Sequence, residues 1–126
     1  MIDALFSSPN YVTAKKALDA VVLRQEAIAS NIANLETPGY RRVDLAPSFN
    51  AELARACGSG NAHQIAGIKP SIAADPNAVP NSRDGNTVNF EHEMMQLNQN
   101  MLAHALETQL VSNAIMKLKM AITGKT

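Results

Sequence analysis

Apolar residues recur along the first third of the chain at alternating steps of three and four. Tyr11, Ala14, Leu18, Val21, Ile28, Ile32 and Leu35 keep that rhythm, with Gln25 as its polar step. Lys15, Lys16, Asp19, Arg24, Glu26 and Ser30 fall off the stripe. The pattern predicts a helix with a coiled-coil-like seam over residues 11–35. Ser8, just before Pro9, or Asn10 is placed to cap its start. The same rhythm returns over residues 90–123, through Phe90, Met94, Leu97, Met101, Val111, Ile115, Leu118 and Ile122, with His104 and Thr108 at polar steps. Neither Pro nor Gly interrupts this second stretch. Asn89 is a suitable N-cap, Glu91 and Glu93 complement the positive end of the helix dipole, Lys117 and Lys119 lie in the last turns, and Gly124 is a stop signal.

Residues 36–88 contrast with both. They hold five of the six prolines and five of the six glycines, too dense a punctuation for a long helix. A short helical turn over 51–56, and short strands at Val88 and within 65–72, are the most this stretch is expected to form. The expected fold class is therefore all-α: two long terminal helices forming an antiparallel coiled-coil hairpin, joined by a long, mostly irregular arm with room for short β segments. The divisions are an N-terminal helix within 1–35, the arm at 36–88 and a C-terminal helix within 89–126. Facing stripe positions such as Val21 and Val111, or its neighbours, are expected to meet.

A helix pair shields one face of each partner, yet both stretches carry a second apolar edge. Val22 and Ala29 flank the first stripe; Leu102, Leu106 and Leu110 flank the second. A helix apolar on more than one side needs more than one neighbour. With 126 residues, nearly half in the arm, the core is small for a chain standing alone. The pattern points to a subunit that completes its core against other subunits.

Composition agrees and excludes several classes. The chain is 46% hydrophobic but only 4% aromatic, with no Trp, which suits close-packed helices better than a sheet sandwich. Net charge is +0 and no basic run exceeds a pair such as Arg41-Arg42, so no global charge recruits nucleic acid or an anionic membrane. Cys57 is the only cysteine, so no intramolecular disulfide is available. The start, Met-Ile-Asp-Ala-Leu-Phe-Ser-Ser-Pro, lacks the basic and continuous apolar regions of a Sec-type signal peptide. No run of 18 apolar residues predicts a membrane span.

Chemistry-bearing residues do not converge. His92 and His104 are twelve positions apart, about 120° around a helix, and cannot share a small intrahelical metal site. Met94, Met95 and Met101 suit irregular gaps between helices. Cys57 lies in Ala-Cys-Gly-Ser with His63 six positions on and no electropositive surroundings in sequence. Gly58-Ser59-Gly60 lacks the Gly-Lys-Ser/Thr continuation of a phosphate loop. No catalytic, metal, cofactor or small-molecule site is expected. Gln25 and His104, polar at apolar steps, are candidates for fixing helix register.

The sharpest local signal is Ala29-Ser-Asn-Ile-Ala-Asn-Leu-Glu-Thr-Pro-Gly-Tyr40. It ends a helix and launches a turn. Pro38 presets φ at the first central position, Gly39 supplies positive φ at the second, and Pro38 keeps Thr37 out of helical geometry. Asn31 and Asn34 can bond carbonyls at the helix end or a neighbouring chain, and the Tyr40 hydroxyl needs a partner. With Asn31, Ile32, Ala33 and Asn34 followed by Thr37, Pro38, Gly39 and Tyr40, the chain resembles the rod, hook and hook-associated family of flagellar axial proteins. The stretch Gly85-Asn-Thr-Val-Asn-Phe-Glu-His-Glu-Met94 is similar to the start of the C-terminal helix in proximal-rod members of that family. The likeness covers both terminal parts and leaves residues 43–83 largely unmatched.

The resemblance implies a structural subunit, not an enzyme, whose termini form a coiled-coil domain lining a tubular, periplasm-spanning rod in the basal body. Its partners would be copies of itself and other rod subunits, base-ring and export-gate components, and the flagellar type III apparatus that exports it uncleaved. Leu18, Val21, Ile28, Ile32, Leu35, Met94, Leu97, Met101, Val111, Ile115, Leu118 and Ile122 would then form helix-packing and subunit contacts. A sister proximal-rod subunit remains open as an alternative. So, from a different class, does a helical adaptor that binds one partner helix, though an adaptor has no need of the turn signature.

Overall fold

The computed structural model describes residue 4 and residues 6–124. The first long helix, α1, spans Pro9–Ala33. Ser8 caps it, its side chain accepting from the Tyr11 N–H at 3.3 Å, and Pro9 occupies the first turn, where a missing N–H costs nothing. The last helix, α4, spans Phe90–Thr123. Asn89 accepts from the His92 N–H at 3.0 Å, and Gly124 ends the helix at φ +63°. These caps agree with the sequence reading. Lys125, the last basic residue, lies outside the described residues.

Between the long helices the chain is more regular than its Gly and Pro content predicts. Strand β1, Val43–Leu45, pairs antiparallel with β2, Ile72–Ala74, in the register Val43↔Ala74, Asp44↔Ala73, Leu45↔Ile72. Helix α2, Ser48–Ser59, and helix α3, Ala62–Gly67, lie between the strands. The expected turn at 51–56 is thus a twelve-residue helix. Ile65 belongs to a helix, Ile72 opens a strand, and Val88 is buried without being in one. The physical reason is where the breakers sit. Gly60 ends α2 at φ +67°, and Asn61 caps α3 by accepting from the His63 N–H at 2.9 Å. Phe49 and Ala56, one face of α2, are buried together with Ile65 of α3.

The two long helices touch along a line that hydrogen bonds trace. Asn31 reaches Glu93, Arg24 reaches Gln96, and Asn100 reaches the Val21 carbonyl and Gln25. Positions fall along α1 as they rise along α4, so the helices run in opposite directions where they meet. The register differs from the expected Val21–Val111 apposition: Val21 faces Asn100, while Leu110 shares a cavity with Tyr11, Ala14 and Ala17. The cause is the short return before α4, which is pinned to the end of α1.

The core is small and partly polar. Among the described residues, Ala20, Ala27, Ile28, Phe49, Ala56, Ile65, Val88 and Leu118 are the buried apolar ones, and Asn31, Arg42, Asn86, Glu93 and Asn100 are buried with them. The accessible surface is 8205 Å². A compact monomer of this mass would expose about 6,500 Å². The excess is consistent with helices that are covered on one side only.

Candidate functional site

The site is the junction where α1 ends, the chain turns, and α4 begins. The Tyr40 N–H donates to the Thr37 carbonyl at 3.2 Å, closing a four-residue turn with Pro38 and Gly39 at its centre. Gly39 has φ +69°, the left-handed conformation the turn requires. Tyr40 folds back on α1, its hydroxyl 3.0 Å from Ser30 Oγ, and it also donates to Asn31 Oδ1 at 3.5 Å. Asn34 Nδ2 donates to the Ser30 carbonyl at 2.8 Å and its Oδ1 accepts from Thr37 Oγ1 at 3.1 Å, bracing the helix end.

Asn31 is fully buried and acts as a substitute strand residue. Its Oδ1 accepts from the Val43 N–H at 2.9 Å and its Nδ2 donates to the Val43 carbonyl at 2.8 Å. A primary amide matches a peptide group in donor and acceptor, so one side chain satisfies both backbone groups of Val43. Its Nδ2 also reaches Glu93 Oε2 at 3.2 Å.

The return segment clamps this turn. Asn86, 2% exposed, points Nδ2 at the carbonyls of Asn34, Leu35 and Thr37 at 3.0, 2.9 and 2.8 Å. The first belongs to the C-cap residue of α1 and the other two to the turn beyond it, so one amide binds helix end and turn together. Asn86 Oδ1 accepts from the Val88 N–H at 2.8 Å. The Gly39 N–H donates to the Asp84 carbonyl at 2.9 Å, and the Thr87 N–H to the Tyr40 carbonyl at 3.0 Å. Asp84 itself is held below the usual carboxylate range by the Ser82 hydroxyl, and then by the Asn86 N–H.

Beneath the turn lies a charged cluster. Arg42 donates from Nε to Glu93 Oε1 at 2.5 Å, and from Nη1 to Asp75 Oδ2 at 2.7 Å and Asp44 Oδ2 at 3.1 Å. Arg24 of α1 forks onto Asp44 at 2.9 and 3.3 Å and donates to Gln96 of α4 at 2.6 Å. Burial alone lowers the Arg42 pKa, but Glu93, Asp44 and Asp75 together raise it, so the guanidinium stays charged. Burial likewise pushes Asp44 up, and Arg24, the Leu45 N–H and Arg42 outweigh it, leaving Asp44 below its ordinary value. Glu93 therefore does more than complement the helix dipole: it is a buried member of the network joining α1, β1 and α4. A buried pair of this kind is costly to break from one side, about 3–5 kcal/mol.

The structure distributes the sequence-predicted residues unevenly. Ile28 and Leu118 are buried; Leu18, Val21, Ile32, Leu35, Leu97 and Val111 are half-buried. Met94, Met101, Ile115 and Ile122 are exposed, as are Val22, Leu102, Leu106 and Leu110. Glu93, Gln96 and Asn100 are the α4 side chains bonded to α1. In the turn, Asn31 is buried, Ile32, Asn34 and Tyr40 half-buried, and Ala33, Thr37, Pro38 and Gly39 exposed. Gln25 accepts from Asn100 at 2.9 Å, while His104 lines a shallow groove with Val22 and Met101. Sequence reasoning did not single out Arg24, Arg42, Asp44, Asn86 or Asn100. Their partners lie far along the chain, and only the capping and turn residues left a local signal.

The arrangement offers shape and rigidity rather than reactivity. Among the described residues there is no group of three or more His, Cys, Asp or Glu side chains fit to hold a metal, and no helix is long and apolar enough to cross a membrane. Against known proteins, the family described as flagella basal body rod protein matches residues 13–41, which carry most of α1 and the turn. The chain is 36% identical to the flagellar basal body rod protein FlgB of Cereibacter sphaeroides, over 84% of this chain and 90% of that protein. It is 32% identical to FlgB of Borrelia hermsii, over 86% of this chain and 92% of that protein. It is 31% identical to FlgB of Escherichia coli, over 80% and 83% respectively.

Proposed function

We infer the function from one premise: this chain belongs to the flagellar basal body rod protein family, among its FlgB members. It is a structural subunit of the bacterial flagellar basal-body rod, and not an enzyme. The FlgB matches favour this reading over the sister proximal-rod subunit. As a rod subunit it assembles with other rod subunits in the basal body.

The observation that carries the reading physically is the uncovered apolar surface of α4. Among the described residues, eleven of the fifteen exposed large apolar ones lie on that helix, including Met101, Leu102, Leu106 and Leu110 at 59, 73, 60 and 47% exposure. Contiguous apolar surface of this kind marks an interaction face. In our reading the terminal helices form an antiparallel coiled-coil hairpin, residues 36–88 form an outer arm, and Met94, Met101, Ile115 and Ile122 meet neighbouring subunits. The turn of Asn31–Tyr40, clamped by Asn86, sets the angle between hairpin and arm. The chain reaches the periplasm-spanning rod through the type III apparatus and stacks beside base-ring and export-gate components. The test is a chromosomal deletion complemented in trans. Loss of swimming in soft agar, restored by the wild-type gene, is expected. Normal swimming by the deletion strain would overturn the function.

A further inference from the structure

The first half of α4 turns its polar edge toward α1. Glu93 and Asn100 are buried there, and Gln96, Leu97, Ala103 and Glu107 are half-buried. Leu97 is the one large apolar residue of those six. Met95, Leu102 and Leu106, in contrast, are 48, 73 and 60% exposed. At about 100° per residue, Leu102 stands roughly 160° around the helix from Asn100, so this apolar edge looks away from α1. An amphipathic helix ordinarily does the reverse and buries its apolar stripe. Hydrophobic stabilisation grows with the apolar area removed from water, so by itself it would roll Met95, Leu102 and Leu106 onto α1.

Polar bonds oppose that roll. Glu93 accepts from Arg42 Nε at 2.5 Å and from the Asn31 amide at 3.2 Å. Gln96 Oε1 accepts from Arg24 Nη2 at 2.6 Å. Asn100 Nδ2 donates to the Val21 carbonyl at 3.0 Å and to Gln25 Oε1 at 2.9 Å. The three residues follow one another at steps of three and four, so they share one edge, and a roll would break all five bonds together. We infer that Glu93, Gln96 and Asn100 are positioning residues: they hold α4 rolled with its apolar edge outward, against the pull of hydrophobic burial. Buried polar contacts between helices can select one arrangement at a cost in stability. The inference concerns the chain on its own and goes beyond the rod-subunit reading. Under that reading, the three residues keep the outward edge free for assembly.

Two single-cysteine reporters read the roll in the full chain, on a Cys57→Ser background. Ala103→Cys lies on the α1 edge, three residues on from Asn100, and Leu106→Cys lies on the outward edge. With the polar edge intact, a maleimide is expected to label Leu106→Cys at least about tenfold faster than Ala103→Cys. Glu93→Ala, Gln96→Ala and Asn100→Ala are then combined, Ala being the best helix former, so the helix itself is not weakened. The order of the two rates is expected to reverse while the helical circular dichroism signal is kept. An unchanged order, or two fast rates from a detached or unfolded α4, overturns the inference. The milder pair Gln96→Ala and Asn100→Ala leaves Glu93 on Arg42 and should shrink the ratio of rates. A ratio equal to the parent's contradicts the assignment of those two residues. Gln96→Glu keeps an acceptor for Arg24 and should hold the parental ratio; a fall as large as the Ala pair gives would show that the Arg24 bond does not set the roll. None of these readings uses motility, so they are decided separately from rod function, which the deletion strain tests.

Discussion

Replacing Asn86 by Ala tests whether one buried amide holds the turn to both long helices. The side chain is 2% exposed and has two N–H hydrogens facing three carbonyls, so two hydrogen bonds' worth of donation is lost. At roughly 1 kcal/mol net each, that is about 2 kcal/mol. The Val88 N–H, itself buried, loses its acceptor, adding about 1–3 kcal/mol. Water reaches the exposed Thr37 end and trims the total, so the expected loss is about 3–4 kcal/mol, a large fraction of the 5–15 kcal/mol typical of a domain. Asn86→Asp is the sharper variant. It keeps an acceptor for Val88 but turns an oxygen toward three carbonyl oxygens, so it should be at least as damaging. Urea unfolding followed by far-ultraviolet circular dichroism reads both. The Ala variant should lower the midpoint by about 1–3 M at an unchanged slope. A loss under about 0.5 kcal/mol, or an Asp variant more stable than the Ala variant, would refute the clamp.

Gly39→Val should cost about 1–3 kcal/mol through strain at φ +69° alone, since the nearest atom to an added Cβ, the Asp84 carbonyl oxygen, is 3.9 Å away. Cys57→Ser should stay within about 0.5 kcal/mol, and thermal melts with soft-agar swimming compare the two. Asp44 supplies a pH signature: its folded pKa lies below the ordinary 3.8, so its stabilisation is present above that value and is lost as pH falls through the folded pKa. Asp44→Asn should therefore flatten the acid limb of a stability–pH curve measured by urea midpoint, and an unchanged limb would contradict this. Leu106→Asp, at a site 60% exposed, should leave monomer stability within about 0.5 kcal/mol but abolish rod assembly, scored by secretion and motility separately.

What the sequence disclosed follows from the range of the interactions. Ser8, Asn89 and Gly124 act within one turn of their helices, and Pro38-Gly39 acts within four residues, so each was readable locally. Glycine density misled at 48–67 because Gly60 and Asn61 divide two helices instead of dissolving one. The α4 pattern contains more than one apolar edge, and nothing local says which edge meets α1. That choice is made by Glu93, Gln96 and Asn100, whose partners on α1 are 62, 72 and 75 positions away. Arg42, read only as half of a basic pair, has its purpose fixed by Glu93 and Asp75, 51 and 33 positions distant.

Electron microscopy of basal bodies purified from the deletion strain tests the central claim most directly. The account predicts rings without a rod, and complete rods once the wild-type gene is restored. Complete, normally shaped rods in the deletion strain would contradict it.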